Sequence, residues 1–97
     1  MARYVVLLNW TDQGIRNVKE TVNRAKAARY AFEAVGAKIG DIYWTLGQYD
    51  AVLTFEAPDD ETATKAGLAV GMQGNVRTTT LRAFGEQEME RIIQGLP

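Results

Sequence analysis

Ile42-Tyr43-Trp44-Thr45-Leu46-Gly47-Gln48-Tyr49-Asp50-Ala51-Val52-Leu53 decides the fold. Two strand-like runs flank a Gly-Gln pair, which reads as a two-residue hairpin turn. Glycine in front suits a type II′ turn, whose first position needs a positive φ. Such a turn sets the register, and register sets which side chains share a face. Counting outward pairs Leu46 with Tyr49, Trp44 with Ala51 and Ile42 with Leu53 on an apolar face. Thr45 then faces Asp50, and Tyr43 faces Val52, on a mixed one. Extended to residues 37–46 and 49–56, the ribbon sets Gly40 opposite Phe55. It also places Ile39 with Tyr43 and Val52 on the mixed face.

The flanking segments complete a pattern. Residues 4–10 form a strand with Tyr4, Val6, Leu8 and Trp10 on one face and Val5 and Leu7 on the other, so both sides need cover. Thr11 or Asp12 caps a helix running from about Gly14 to Val35, with the stripe Ile15, Val18, Val22, Ala25, Arg29 and Phe32 turned inward. Gly36 closes it. Pro58-Asp59-Asp60-Glu61 opens a second helix with carboxylates where the helix dipole favours them. Its inner residues, Ala63, Ala66, Gly67 and Val70, are small enough to lie close to a sheet or to leave room above it. It ends at Gly71 to Gly74, with Asn75 as a left-handed exit residue. Residues 76–84 form a strand with the β-branched run Thr78-Thr79-Thr80. A last helix, residues 86–94, buries Met89, Ile92 and Ile93.

The order β-α-β-β-α-β plus a C-terminal helix is the split βαβ, ferredoxin-like pattern. The expected class is α+β, with a four-stranded antiparallel sheet in a single domain over residues 1–97. Both helices of this pattern cover one sheet face. The other face mixes Ile39, Tyr43 and Val52 with Asp41, Thr45, Asp50 and Thr54, a composition that interfaces tolerate. A sheet-to-sheet homodimer covers it. A monomer with a slightly greasy face is the alternative, and assembly of dimers into larger rings stays open.

Composition narrows the function. The chain has 97 residues, 46% hydrophobic and 24% charged, with net charge −1. No field favours nucleic acid or an anionic membrane. Without Cys or His there is no disulfide, thiolate site or imidazole base. No metal site or cofactor is expected. No apolar run approaches the ~18 residues of a membrane span, and the first ten residues lack a signal-peptide pattern. A cytoplasmic location is the expectation.

Thr11-Asp12-Gln13-Gly14, Trp44-Thr45-Leu46-Gly47-Gln48-Tyr49-Asp50, Ala57-Pro58-Asp59 and the run from Gly74 to Phe84 together resemble the GYD-domain family. The likeness extends from about Tyr4 to Phe84, and in this chain Gln48 separates Gly47 from Tyr49. The resemblance implies a ferredoxin-like, dimeric α+β barrel and no established reaction.

Five residues are candidates for a ligand site: Trp44, Tyr49, Asp50, Arg77 and Thr79. Asp50 reads either as a general base or ligand anchor, or as a turn residue bonded to nearby backbone. Trp44 and Tyr49 either line a pocket or pack as rim. Arg77 and Thr79, two apart on one strand face, make an anion clamp, unless Arg77 pairs with Asp50 or Glu56. Arg82 lies on the opposite face with Thr78 and Thr80, a candidate for the dimer seam. Thr11-Asp12-Gln13-Gly14 is a helix cap or a backbone anion site. Two functional readings follow. One is a binding or assembly module with a small anion- or aromatic-accepting pocket between sheet and helices. The other is a cofactor-free isomerase or oxygenase for a small aromatic or lactone-like substrate, with Asp50 as base and Arg77 or Tyr49 stabilising an oxyanion. Whether the chain is an enzyme stays open.

Overall fold

The computed structural model describes all 97 residues. Its elements are β1 (Ala2–Trp10), α1 (Asp12–Arg16), a 3-10 turn (Val18–Glu20), α2 (Thr21–Ala34), β2 (Lys38–Trp44), β3 (Ala51–Ala57), α3 (Asp60–Gly71), β4 (Val76–Ala83) and α4 (Glu86–Gln94). Every strand pair is antiparallel, in the order β2-β3-β1-β4. This is the ferredoxin-like α+β architecture. No helix is long and apolar enough to cross a membrane.

The core forms where the sheet meets α2 and α3. Tyr4, Val6 and Leu8 of β1 are buried, as are Leu53, Phe55 and Ala57 of β3, against Phe32, Ala63 and Ala66 from the helices. Tyr4 stacks on Phe55 with ring centroids 4.8 Å apart. Phe32 meets the same ring edge-on at 5.1 Å, the two geometries that aromatic quadrupoles favour. Phe32 is placed by a Schellman end to α2. Ala37 N donates to Phe32 O and Gly36 N to Glu33 O, with Gly36 at φ 95°.

The hairpin register holds through Ile42↔Leu53, Tyr43↔Val52 and Trp44↔Ala51. Thr45 N donates to Asp50 O at 2.9 Å. The turn is longer than two residues. Leu46 and Tyr49 are not ladder partners, Leu46 is fully exposed, and Gly47 adopts φ 127°. A second departure lies in β2. The register shifts between Ile39 and Ile42, so Gly40 and Asp41 both face Thr54 and Ile39 pairs with Phe55. The bulge carries Ile39 from the mixed face into the core, where it is 4% exposed. Gly40 lies against Thr54 rather than Phe55, and a Cβ there would sit 2.8 Å from Thr54 Oγ1. Asp41 N donates to that hydroxyl. An extra residue in one strand flips everything beyond it.

The first helix is not continuous. It breaks at Asn17, and Arg24 donates to the carbonyls of Asn17 (2.7 Å), which also accepts from Glu20 N, and Gly14 (3.3 Å). The break resets the helical phase, so Ile15 and Val22 face out and Ala28, Phe32 and Val35 form the packed stripe. At the α3 exit the left-handed residue is Gly74, φ 83°; Asn75 has a negative φ.

The face of the sheet away from α2 and α3 carries Val5 and Leu7 of β1, Val52 of β3, Tyr43 of β2 and Leu81 of β4. No element of the chain covers it. Nor does α4 bury its apolar stripe. Met89, Ile92 and Ile93 are 46%, 41% and 52% exposed, and α4 packs substantially on no other element. Its anchor is polar. Arg82 Nη2 donates to Glu88 Oε2 at 3.2 Å, and Glu88 Oε1 accepts from Gly85 N at 3.3 Å. The backbone bond to Gly85, then Arg82, holds the Glu88 carboxyl below its usual value. Arg82 also stands 4.6 Å over the Phe84 ring.

Candidate functional site

Between α2, α3 and the sheet lies an open cleft of about 360 Å³, within the size range of small-molecule pockets. It exists because both helices turn small residues toward the sheet. Ala25 and Ala28 of α2 and Gly67 of α3 border it, where branched side chains would have closed the layer. Val6, Leu53 and Phe55 form part of its floor. Its rim is polar: Thr21, Arg24, Trp44, Gln73 and Asn75. Trp44 Nε1 donates to Thr21 Oγ1 at 3.0 Å, which ties the end of β2 to the start of α2.

Of the five residues singled out by sequence, Trp44 alone borders this cleft. Tyr49 and Asp50 sit in the loop before β3. The Asp50 carboxylate accepts from Trp10 N at 2.9 Å, and Asp50 N donates to Leu8 O at 2.8 Å. The residue thus joins the end of β1 to the hairpin, the backbone-bonded alternative for it. Tyr49 contributes its carbonyl, which accepts from Thr45 Oγ1 at 2.6 Å. Arg77 and Thr79 pair with Asn9 and Leu7 of β1. They therefore share one face, as their spacing requires, but it is the open face, opposite the cleft. Arg77 pairs with neither Asp50 nor Glu56, and Glu56 is held instead by Arg3 at 3.0 Å. Arg82 is on the Tyr4 face, where it anchors α4 and not the open face.

Thr11-Asp12-Gln13-Gly14 is a helix cap with a second purpose. Thr11 Oγ1 accepts from Gly14 N and donates to Gly74 O at 2.5 Å. Thr11 N donates to Asn75 O at 3.1 Å. Gln13 Nε2 reaches Gln73 O at 3.1 Å and Asn75 Oδ1 at 3.0 Å. The segment clamps the α3–β4 turn, so its polar groups are spent on the chain itself. Arg24 is the rim residue that sequence reasoning passed over. Its position off the supposed stripe of one continuous helix hid it, and only the break at Asn17 turns it to the cleft.

No three carboxylates converge in a way that could hold a metal ion. A sequence model of the GYD domain matches residues 4–93. A protein of Thermus thermophilus named glutamine synthetase and cystathionine beta-lyase binding protein is 33% identical over 85 residues, which span 87% of this chain and 90% of that protein. The crystal structure of MtbAldR (Rv2779c) superposes with a TM-score of 0.69 at 15% identity over 88% of this chain. The match takes in 52% of that protein, so this chain spans about half its length. The crystal structure of TTHA0845, also from Thermus thermophilus, superposes with a TM-score of 0.55 at 24% identity, over 88% of this chain and 95% of that one. At these identities the two structures establish a shared fold.

Proposed function

The chain belongs to the GYD domain family, and we propose that it acts there as a homodimeric protein-binding module that docks a metabolic enzyme. The observation that carries this reading is the apolar surface left without a partner on its own chain. It has two parts. Val5, Leu7, Val52, Tyr43 and Leu81, with Thr54 and Thr79 among them, occupy the middle of an uncovered sheet face, with Arg3, Glu56 and Arg77 toward its ends. An apolar centre inside a charged rim is the composition of a docking interface. The second part is the Met89, Ile92 and Ile93 stripe of α4, an amphipathic helix suited to a hydrophobic groove on another protein. In this reading the sheet faces of two copies close on one another, which leaves α4 to the enzyme. A relative that spans 87% of the chain and is named for binding glutamine synthetase and cystathionine beta-lyase supports docking as the activity. The cleft on the helical side is then a separate small-molecule site.

The test is sedimentation of the purified chain with purified glutamine synthetase and with purified cystathionine beta-lyase, for wild type, Ile92→Glu and Leu7→Arg. Wild type co-sediments with at least one enzyme, Ile92→Glu does so at least about tenfold more weakly, and Leu7→Arg turns the dimer into a monomer. Wild-type protein that binds neither enzyme, or Ile92→Glu that binds as wild type does, refutes α4 docking. Unchanged mass for a folded Leu7→Arg refutes the sheet-to-sheet dimer.

A further inference from the structure

The cleft between the helices and the sheet has one sign of charge. Arg24 is the charged side chain on its border, and no Asp or Glu stands beside it there. Arg24 is also already oriented. Two of its five N–H donors are engaged by Asn17 O and Gly14 O, which fixes the guanidinium plane and leaves three donors. One helical turn earlier, Thr21 Oγ1 accepts from Trp44 Nε1, so its own O–H is left to donate. Behind this rim the lining becomes apolar, with Phe32, Leu53, Phe55 and Val70.

We infer that the cleft binds a small amphipathic anion, with its single anionic head at Arg24 and Thr21 and its apolar body between α2, α3 and the sheet. This rests on the reading of the cleft as a small-molecule site and is independent of the dimer and of enzyme docking. A positioned guanidinium takes a carboxylate or similar head in a bidentate manner, with little side-chain ordering left to lose. The apolar body replaces water against a surface that the chain's own side chains do not fill. A neutral ligand of the same body forgoes the charge-assisted hydrogen bonds, and a cationic one meets Arg24 as a like charge.

The experiment is an amide NMR titration of the full chain with octanoate, octanol and octylammonium, three probes of one body and different heads. Octanoate shifts the amides of residues 21–32 and 67–73 and binds at least about tenfold more tightly than octanol; octylammonium binds more weakly than either. Gly67→Leu removes the space. Nothing lies within 4 Å of a Cβ built at Gly67, so this variant folds, as a thermal melt checks, and loses at least about tenfold in octanoate affinity. Arg24→Gln lowers octanoate to the level of octanol. Should Arg24→Gln fail to fold, the order of the three probes on wild type still decides the matter. The inference is overturned if no probe shifts the cleft amides at millimolar concentration, if the three bind alike, or if folded Gly67→Leu binds octanoate as wild type does. Leu7→Arg, on the far sheet face, separates this site from the dimer: it retains octanoate binding whatever its mass in solution.

Discussion

Gly14→Ala tests whether the clamp between the first helix and the α3–β4 turn holds the fold together. A Cβ at Gly14 would lie 1.9 Å from Asn75 O and 2.9 Å from its carbonyl carbon. Both are backbone atoms, so no side chain can swing away. Relief requires Asn75 to move by more than about 1 Å, further than hydrogen bonds near their optimum can follow. Four such bonds converge on that turn: Thr11 N to Asn75 O, Thr11 Oγ1 to Gly74 O, and Gln13 Nε2 to Gln73 O and Asn75 Oδ1. At about 1 kcal/mol net each, their loss costs roughly 4 kcal/mol. Alanine returns up to about 1 kcal/mol of helix propensity, which leaves a net cost of about 3 kcal/mol. For a domain of this size that lowers Tm by roughly 12–24 °C. Circular dichroism melts and urea titrations of wild type, Gly14→Ala and Gly67→Ala measure it. Gly67 is the control, a helical glycine with open space around its Cβ, and its alanine variant gains about 0.5–1 kcal/mol. A Gly14→Ala protein within about 0.5 kcal/mol of wild type refutes the reasoning, because the clamp would then be yielding.

Tyr4 donates to Asp60 Oδ1 at 2.5 Å from beneath α3, so Tyr4→Phe costs about 1–2 kcal/mol in urea unfolding. That hydrogen bond, with burial and the nearby carboxylate charge, raises the Tyr4 phenol above 10.0. Ultraviolet titration should accordingly find a tyrosine that ionises above 10.0 in wild type and is missing from Tyr4→Phe. Glu88 gives a prediction in acid. Its folded pKa lies below the ordinary 4.5, so near and below that pH the unfolded chain binds more protons than the folded one. The stabilisation is complete above pH 4.5 and is lost as pH falls through the folded value. Protection factors of the α4 amides, taken against the intrinsic exchange rate at each pH, should fall over that range in wild type and be low already at pH 7 in Glu88→Gln, with those of the β1 amides unchanged in both.

The architecture was legible where signals were local. The double-faced apolar run of β1, the glycine stop at Gly36, the Asp59 start of α3 and the register of Trp44 on Ala51 all follow from neighbours in sequence. The departures come from residues far apart. Nothing near Asn17 announces a break, because the groups that stabilise it are the guanidinium of Arg24 and the Asn75 backbone pressed on Gly14 from across the molecule. The bulge at Gly40 and Asp41 depends on Thr54, and it alone explains how Ile39 reaches the core. The cleft was visible only as small residues on α3, since its other wall needed the phase of α2 that the break resets. Arg77 and Thr79 share a face, as two-residue spacing demands. Which face that is depends on where the helices pack, and a strand's own sequence does not say. The apolar spacing of Met89, Ile92 and Ile93 identified an amphipathic helix, but not that its chain would offer it no partner.

Sedimentation equilibrium of the wild-type chain tests most directly the homodimer on which the proposed function is built, because a surface built to be covered must be covered in solution. The expected result is a mass twice the 10.8 kDa of the chain, or an even multiple of it, that falls to a single chain in folded Leu7→Arg. A wild-type protein that remains monomeric at tens of micromolar, with its open sheet face fully wetted, contradicts it.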